Sequence, residues 1–334
     1  MKKNIILSIS ILSFLFSIFF FSLNKNKEDT VYFFAGNFKR LFNENNDGFY
    51  NLAHIIESYG YKVKETRSFK NLKNCKYIVV FDIHDKKLKR IKRLNRKKLI
   101  LFTWEPPTAV EKNYDHKIHK YFSKVYTTVD TLVDNKKFFK FHYPSMQPFI
   151  HSNIDYEKKK LLCTIIGNHT STYKYENYTE RLKSINFFED FASKDLDFFG
   201  RGWNKKDFKT YKGAVKDKSI LANYKFSLCY ENTTNIKGYI SEKIFDSLAY
   251  GCIPIYLGAD NIQDYIPKNC FIDKRDFKSY SELYTYLKTM PKEKYFEYLL
   301  NIQTFLKSDN AMLFTPKNLI ANFLEALELE NQKK

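Results

Sequence analysis

The residues best placed to do chemistry are Glu242 and Lys243. They lie in a segment where the strand-like run Lys225–Tyr230 passes through a polar loop into a helical stretch from about Ile240 to Tyr250, then into the strand Ile253–Leu257. Both fall in the first turn of that helix, where backbone N–H groups lack partners and the helix dipole is positive. A helix start with an added Lys is a natural diphosphate site. An exposed Glu–Lys pair on a surface helix would use the same two residues. A further carboxylate, Glu105, follows the apolar run Leu99–Thr103 and precedes Pro106 and Pro107, which would hold it rigidly at a strand's carboxyl end. By residue type alone it reads as a solvated loop acid.

Glycine placement points to the same half of the chain. Seven of the ten glycines lie between residues 167 and 258, several directly after strand-like runs. Open α/β sheets bind ligands beyond the carboxyl ends of their strands, where backbone must turn sharply or approach a ligand closely. Rival chemistry is thin. Asp195-Leu196-Asp197 has the D-x-D form of metal-dependent glycosyltransferases, but its aspartates enter a strand rather than leave one. His116 and His119 have helical spacing without an evident third ligand, so no metal site is expected. Trp104 and Trp203 adjoin candidate residues and read first as core or cleft-wall packing, then as sugar-stacking surfaces. No Walker A loop, G-x-G-x-x-G or G-x-S-x-G occurs.

The elements that must position these residues form two series. Short continuous apolar runs at Val31–Ala35, Tyr77–Phe81, Leu99–Thr103 and Val125–Val129 have the form of parallel strands covered on both faces, with a helix expected over Gly48–Tyr59. Around Pro144, Pro148 and Glu157–Lys160 the pattern breaks, as a linker would. Runs at Leu161–Ile166, Leu196–Phe199, Lys225–Tyr230 and Ile253–Leu257 then make a second series. Helices are expected over roughly 277–289, 292–307 and 316–329. The reading is an α/β chain with residues 28–150 as one unit and 151–334 as another, facing each other across a cleft.

Composition limits the remaining options. The chain has 334 residues and a net charge of +19, with 18% aromatics, which excludes disordered and collagen-like classes. Nine Lys and Arg residues lie within Lys86–Lys98, where Leu88, Ile91 and Leu94 give an amphipathic helical spacing. A solvated basic face is the first reading and contact with anionic lipid the sharper one. No nucleic-acid module accompanies it, so no nucleic-acid partner is expected. Residues 1–27 contain one uncharged run, Ile5–Leu23, of 14 Ile, Leu or Phe and five Ser, nearly long enough to cross a bilayer. A single uncleaved transmembrane anchor is expected, with a cleaved signal segment as the alternative. That implies a single-pass membrane protein, of Golgi type or of a bacterial inner membrane. The flanking lysines do not settle which side holds the rest of the chain. Five cysteines without a C-x-x-C pair read as buried free thiols.

One resemblance joins these features. Tyr224-Lys225-Phe226, Tyr230-Glu231-Asn232, Tyr239-Ile240-Ser241-Glu242-Lys243 and Ile253-Pro254-Ile255-Tyr256-Leu257-Gly258 resemble, in order, the donor-binding signature of glycosyltransferase family 10, the α1,3-fucosyltransferase family. Tyr230 replaces the family's usual Phe, and Ile-Ser its Val-Thr. Phe198-Phe199-Gly200-Arg201-Gly202 resembles the family's F-G-R-G element, and Leu101–Pro107 its Glu-containing strand end. The resemblance implies a GT-B architecture of two Rossmann-like domains, the first holding the acceptor glycan and the second GDP-fucose, with no cofactor and no metal in the chemical step. It implies Glu105 as general base, Arg201 and Lys243 on the diphosphate, and Asn232, Tyr239 and Glu242 lining the nucleotide or fucose pocket. The expected activity is transfer of L-fucose to an acceptor glycan, α1,3 to N-acetylglucosamine. Another GDP-sugar transferase of the same fold, or a catalytically silent membrane-anchored glycan-binding protein, are the alternatives.

Overall fold

The structure is a computed structural model, and it describes residues 28–34, 41–43, 47–83, 85–150 and 155–329. The apolar run Ile5–Leu23 lies outside the described residues. Among those described, no helix is long and apolar enough to cross a membrane.

The first unit is a parallel sheet built from β1 (Thr30–Phe34), β2 (Lys62–Thr66), β3 (Cys75–Phe81), β4 (Leu99–Thr103), β5 (Lys124–Thr127) and β6 (Phe138–Lys140), in the order β2-β1-β3-β4-β5-β6. Central strands β1 and β4 are buried at every position, as a sheet covered on both faces requires. Helix α1 (Asp47–Ser58) covers one face through Phe49, Leu52 and Ile56. On the other face Leu88 and Ile91 of α2 (Asp85–Ile91) pack with Leu101 and Phe122.

The second unit repeats the plan. Strands β7 (Lys160–Ile165), β8 (Leu196–Phe199), β9 (Tyr224–Tyr230), β10 (Ile253–Leu257) and β11 (Ile272–Asp273) run parallel in the order β11-β10-β9-β7-β8. Each sheet therefore reverses its winding beside its first strand, at β1/β3 and at β7/β9, and such reversals open a crevice at the strands' carboxyl ends. Helices α3 (Tyr178–Phe191), α4 (Glu242–Ala249), α5 (Tyr280–Thr289) and α6 (Lys292–Phe305) pack around this sheet. Helix α4 buries one apolar stripe against the sheet: Ile244, Phe245 and Leu248 have no exposed surface.

Several expectations are corrected. The basic segment is not one helix to Lys98. Helix α2 stops at Ile91, and Asn95 Oδ1 instead accepts the Lys97 N–H to cap a single 3-10 turn, Arg96–Lys98. The helix at the end of the chain, α7 (Pro316–Ala326), does not stay with the second unit. Leu319 and Phe323 return to the first sheet, where Phe323 stacks on Phe102 with ring centroids 4.2 Å apart. The linker is pinned as it crosses, by Met146 N–H to the Phe314 carbonyl and Ile150 N–H to the Ala249 carbonyl.

Because Phe323 is fully buried and closes the first unit's core, Phe323→Ala should destabilise the protein by about 3–5 kcal/mol. Urea denaturation followed by tryptophan fluorescence checks this, since Trp104 packs on the same cluster. A loss below about 1 kcal/mol would show that α7 is not part of that core.

Candidate active site

A cleft of about 1780 Å³ opens between the carboxyl ends of the two sheets. Glu105 lines its first-unit wall, and Arg201, Asn232, Glu242 and Lys243 line the second-unit wall. Tyr239 does not line it. That side chain is 2% exposed and packs behind the cleft among Val129, Tyr143 and Ile236, with its ring 6.0 Å from Tyr143. Five of the six expected residues are thus brought to one cavity, and the sixth packs one unit against the other.

The second-unit wall is organised by a carboxylate that residue type alone did not single out. Glu231 follows β9 directly and has no exposed surface. Its Oε1 accepts the Ser241 backbone N–H (2.7 Å), while Oε2 accepts the Ser241 hydroxyl (2.7 Å) and the Lys243 ammonium (3.3 Å). Lys243 also donates to Ser241 Oγ (2.9 Å) and lies 3.5 Å from Glu242. The end of β9 is thereby tied to the start of α4, and the Lys243 stem is fixed within the cleft wall. Burial alone would push the Lys243 ammonium down, but Glu242 and Glu231 outweigh it and hold the pKa above its ordinary value. Lys243 is therefore a permanent cation at the helix start. Glu242, on the exposed side, is held below the usual carboxylate range chiefly by Lys243.

Arg181 of α3 was also missed. Its buried guanidinium donates from Nε and Nη2 to the Tyr230 carbonyl, and from Nη2 to Asn232 Oδ1 at 2.9 Å. It presents Asn232 to the cleft and lines the cleft itself. The inner face of α3 combines Arg181 and Ser184 with Ile185 and Phe188, so no apolar period marks this helix in the sequence. Arg201 is placed by backbone sterics. At Gly200, φ is +147° and an added Cβ would stand 1.6 Å from the Ile166 carbonyl oxygen, so only glycine lets β8 end against β7 here. Arg201 then lies exposed at the cleft edge, its carbonyl accepting the Asn168 N–H at 2.9 Å.

On the opposite wall, Glu105 is held by its own peptide. Its N–H donates to Asp82 Oδ1 (2.9 Å), and its carbonyl accepts from Asn113 Nδ2 (3.2 Å) and the Tyr114 hydroxyl (3.1 Å). Among the described residues no group hydrogen-bonds the Glu105 carboxylate, which is left to face the cleft. Burial, then the negative charges of Asp82 and Glu242, raise its pKa against the opposing pull of Lys243. A carboxylate with a raised pKa, fixed by its backbone and unengaged at its oxygens, suits proton abstraction. Asp82 directly follows β3, as Glu105 follows β4, and that position was its only mark in the sequence.

The remaining candidates have structural partners. Asp195 accepts from Tyr284 and pairs with Lys288, and Asp197 pairs with Lys160 and Lys212. His119 is buried with Nε2 2.6 Å from the Asn113 carbonyl. Trp104 packs between Phe141 and Phe81, and Trp203 donates to the Ile166 carbonyl (2.9 Å). All five cysteines are free thiols, four of them buried.

Removing Glu231 would leave the Ser241 N–H and the Lys243 ammonium without their buried acceptor. Glu231→Ala should therefore cost about 3–5 kcal/mol in chemical denaturation, and Glu231→Gln, which keeps an acceptor oxygen, clearly less. Equal losses in the two variants would contradict the charge-pairing role.

Comparison with known proteins follows the same division. Residues 156–316 match the sequence family described as glycosyltransferase family 10 (fucosyltransferase), C-terminal part. A 4-galactosyl-N-acetylglucosaminide 3-α-L-fucosyltransferase 9 of Mus musculus is 31% identical over 141 residues, covering 40% of this chain and 34% of its own. An α-(1,3)-fucosyltransferase of Helicobacter pylori is 42% identical over 82 residues, covering 24% of this chain and 17% of its own. The matched part thus spans about a third or less of these relatives' length. Over whole chains, the crystal structure of an α1,3-fucosyltransferase with GDP superposes with a TM-score of 0.57 at 17% identity, covering 90% of each chain. A DNA-modifying β-glucosyltransferase superposes at 0.54 and 12% identity, covering 90% of this chain and all of its own. Such likenesses describe a shared fold of two facing parallel α/β sheets. The sequence match thus places residues 156–316, within the second unit, in glycosyltransferase family 10, the fucosyltransferase family.

Proposed function

We propose that this protein is an inverting fucosyltransferase that moves L-fucose from GDP-fucose to a hydroxyl of an acceptor glycan, α1,3 to N-acetylglucosamine. The observation that carries the reading is the division of the cleft, with the unengaged Glu105 carboxylate on one wall and the cations Arg201 and Lys243 on the other. Inversion needs that division, since the nucleophile must approach the sugar carbon from the face opposite the departing phosphate.

Glu105 takes the proton of the acceptor hydroxyl as its oxygen bonds to the sugar carbon. The bond from that carbon to the GDP oxygen breaks on the far side, and the electron pair leaves with GDP. Negative charge then grows on the diphosphate, where fixed cations stabilise the transition state more than the ground state. Arg201 can grip two phosphate oxygens at once, and Lys243 supplies a point charge already held in place by Glu231. Asn232 and Glu242 present polar atoms to the nucleotide sugar, while Tyr239 supports the wall from behind. In this reading Ile5–Leu23 anchors the protein in a membrane, and the first unit selects the acceptor.

Arg201→Ala and Lys243→Ala should each weaken GDP binding roughly tenfold or more, measured by calorimetric titration. Unchanged affinity in both would remove the proposed donor site. With an N-acetylglucosamine-bearing acceptor, GDP release should be fastest from GDP-fucose within a panel that includes GDP-mannose and UDP-sugars. Faster release from another member would replace fucose as the donor sugar.

A further inference from the structure

Asp82 stands out among the buried groups that the proposed reaction does not use. It is 5% exposed, lines the cleft, and follows β3 with φ of +57°, a conformation that Asp and Asn tolerate better than other non-glycine residues. Three donors converge on one of its oxygens. Oδ1 accepts the Trp104 N–H (2.8 Å), the Glu105 N–H (2.9 Å) and Asn113 Nδ2 (2.5 Å). Asn113 is locked in turn, because its Oδ1 accepts the Ile83 N–H (2.8 Å) and its carbonyl meets His119 Nε2.

We propose that Asp82 is the positioning residue of the site: its carboxylate clamps the Trp104–Glu105 peptide so that the Glu105 side chain points into the cleft, and places a negative charge behind that base. The inference rests on reading Glu105 as the base.

The geometry explains why a carboxylate does this better than a neutral acceptor. The two successive backbone N–H groups just beyond β4 turn toward one oxygen, which bends the chain out of the strand and fixes Glu105, the second residue past its end. A single anionic oxygen accepts three donors more strongly than a neutral one. The charge also acts on the base. The charged groups that bear on Glu105 are Asp82 and Glu242, which raise its proton affinity, and Lys243, which lowers it. Tyr114, Tyr143 and Tyr239 surround them as neutral phenols whose pKa values are raised by burial. Burial brings Asp82 itself up to about 6 despite its three donors, so it is ionised above that pH and strengthens Glu105 as a base where the enzyme would work. Two interacting carboxylates then shape the acid limb of the activity profile together.

Two substitutions separate clamp from charge. Asp82→Asn keeps an oxygen for all three donors and accepts the left-handed backbone, so only the charge is lost. It should leave GDP affinity unchanged, move the acid limb of kcat/KM to lower pH, and lower the plateau kcat about tenfold through a weaker base. Asp82→Gly also accepts the backbone conformation but removes the acceptor. It should lower kcat about 100-fold at unchanged GDP affinity, the loss expected when a reacting group is displaced by about 1 Å. A pH profile of Asp82→Asn that superposes on the wild type, or a kcat for Asp82→Gly within twofold of it, would overturn the proposal. Glu105→Gln is assayed alongside. Activity in that variant would overturn Glu105 as the base, whereas its inactivity beside unaltered Asp82 variants would overturn the positioning role alone.

Discussion

The second-unit wall of the cleft depends on one buried charge. Glu231 has no contact with solvent, and a carboxylate in that position is tolerable only if its oxygens are engaged. The Ser241 N–H and hydroxyl and the Lys243 ammonium engage them, and all three belong to the start of α4. Satisfying the charge therefore fixes the strand-to-helix connection, and with it the direction from which a cation enters the cleft. A surface Lys in the same turn would have been free to move. Here its stem is held before any ligand arrives, which is the preorganisation that electrostatic stabilisation requires.

The first-unit wall answers with the same device. Asp82 is also a buried carboxylate at a strand's carboxyl end, and it is also satisfied by N–H groups of the next element, those of Trp104 and Glu105. Each unit thus uses one buried acid to aim a neighbouring side chain, Lys243 in one case and Glu105 in the other. The two units are joined near this point. Asp130, on the first unit, accepts from the Tyr265 hydroxyl (2.7 Å) and Asn261 Nδ2 (2.8 Å) of the second, and its N–H donates to the Lys237 carbonyl beside the cleft. The spacing between Glu105 and the second-unit wall is consequently set by polar contacts as well as by packing.

Much of this was legible in residue order. Parallel strands with buried central stretches announce themselves as apolar runs, so β1, β3, β4, β7, β9 and β10 were readable to within a residue or two, and motif spacing marked five of the residues that meet in the cleft. What escaped leaves no apolar pattern of its own, or none that names its partner. Strand β2 (Lys62-Val63-Lys64-Glu65-Thr66) lies at a sheet edge, pairs only with β1, and has no need of an apolar pattern. Helix α3 buries Arg181 and Ser184 toward the site, which erases its period. Helix α7 has a clear apolar face, but no local signal says which sheet it covers, and that choice is made by shape at Phe102 and Phe323. Tyr239, expected in the pocket by resemblance, packs behind it because Tyr143 and Ile236 take its ring. Buried polar residues serving as supports are the class that sequence pattern conveys least, because pattern reports apolar burial.

The central claim is that the cleft separates donor binding from proton abstraction, with the second belonging to Glu105. Calorimetric titration of Glu105→Gln with GDP-fucose, paired with transfer assays on the same preparation, tests it most directly. Donor affinity should be unchanged and the transfer rate lower by about 10²–10⁴-fold. Transfer at the wild-type rate would contradict it, whatever the donor affinity.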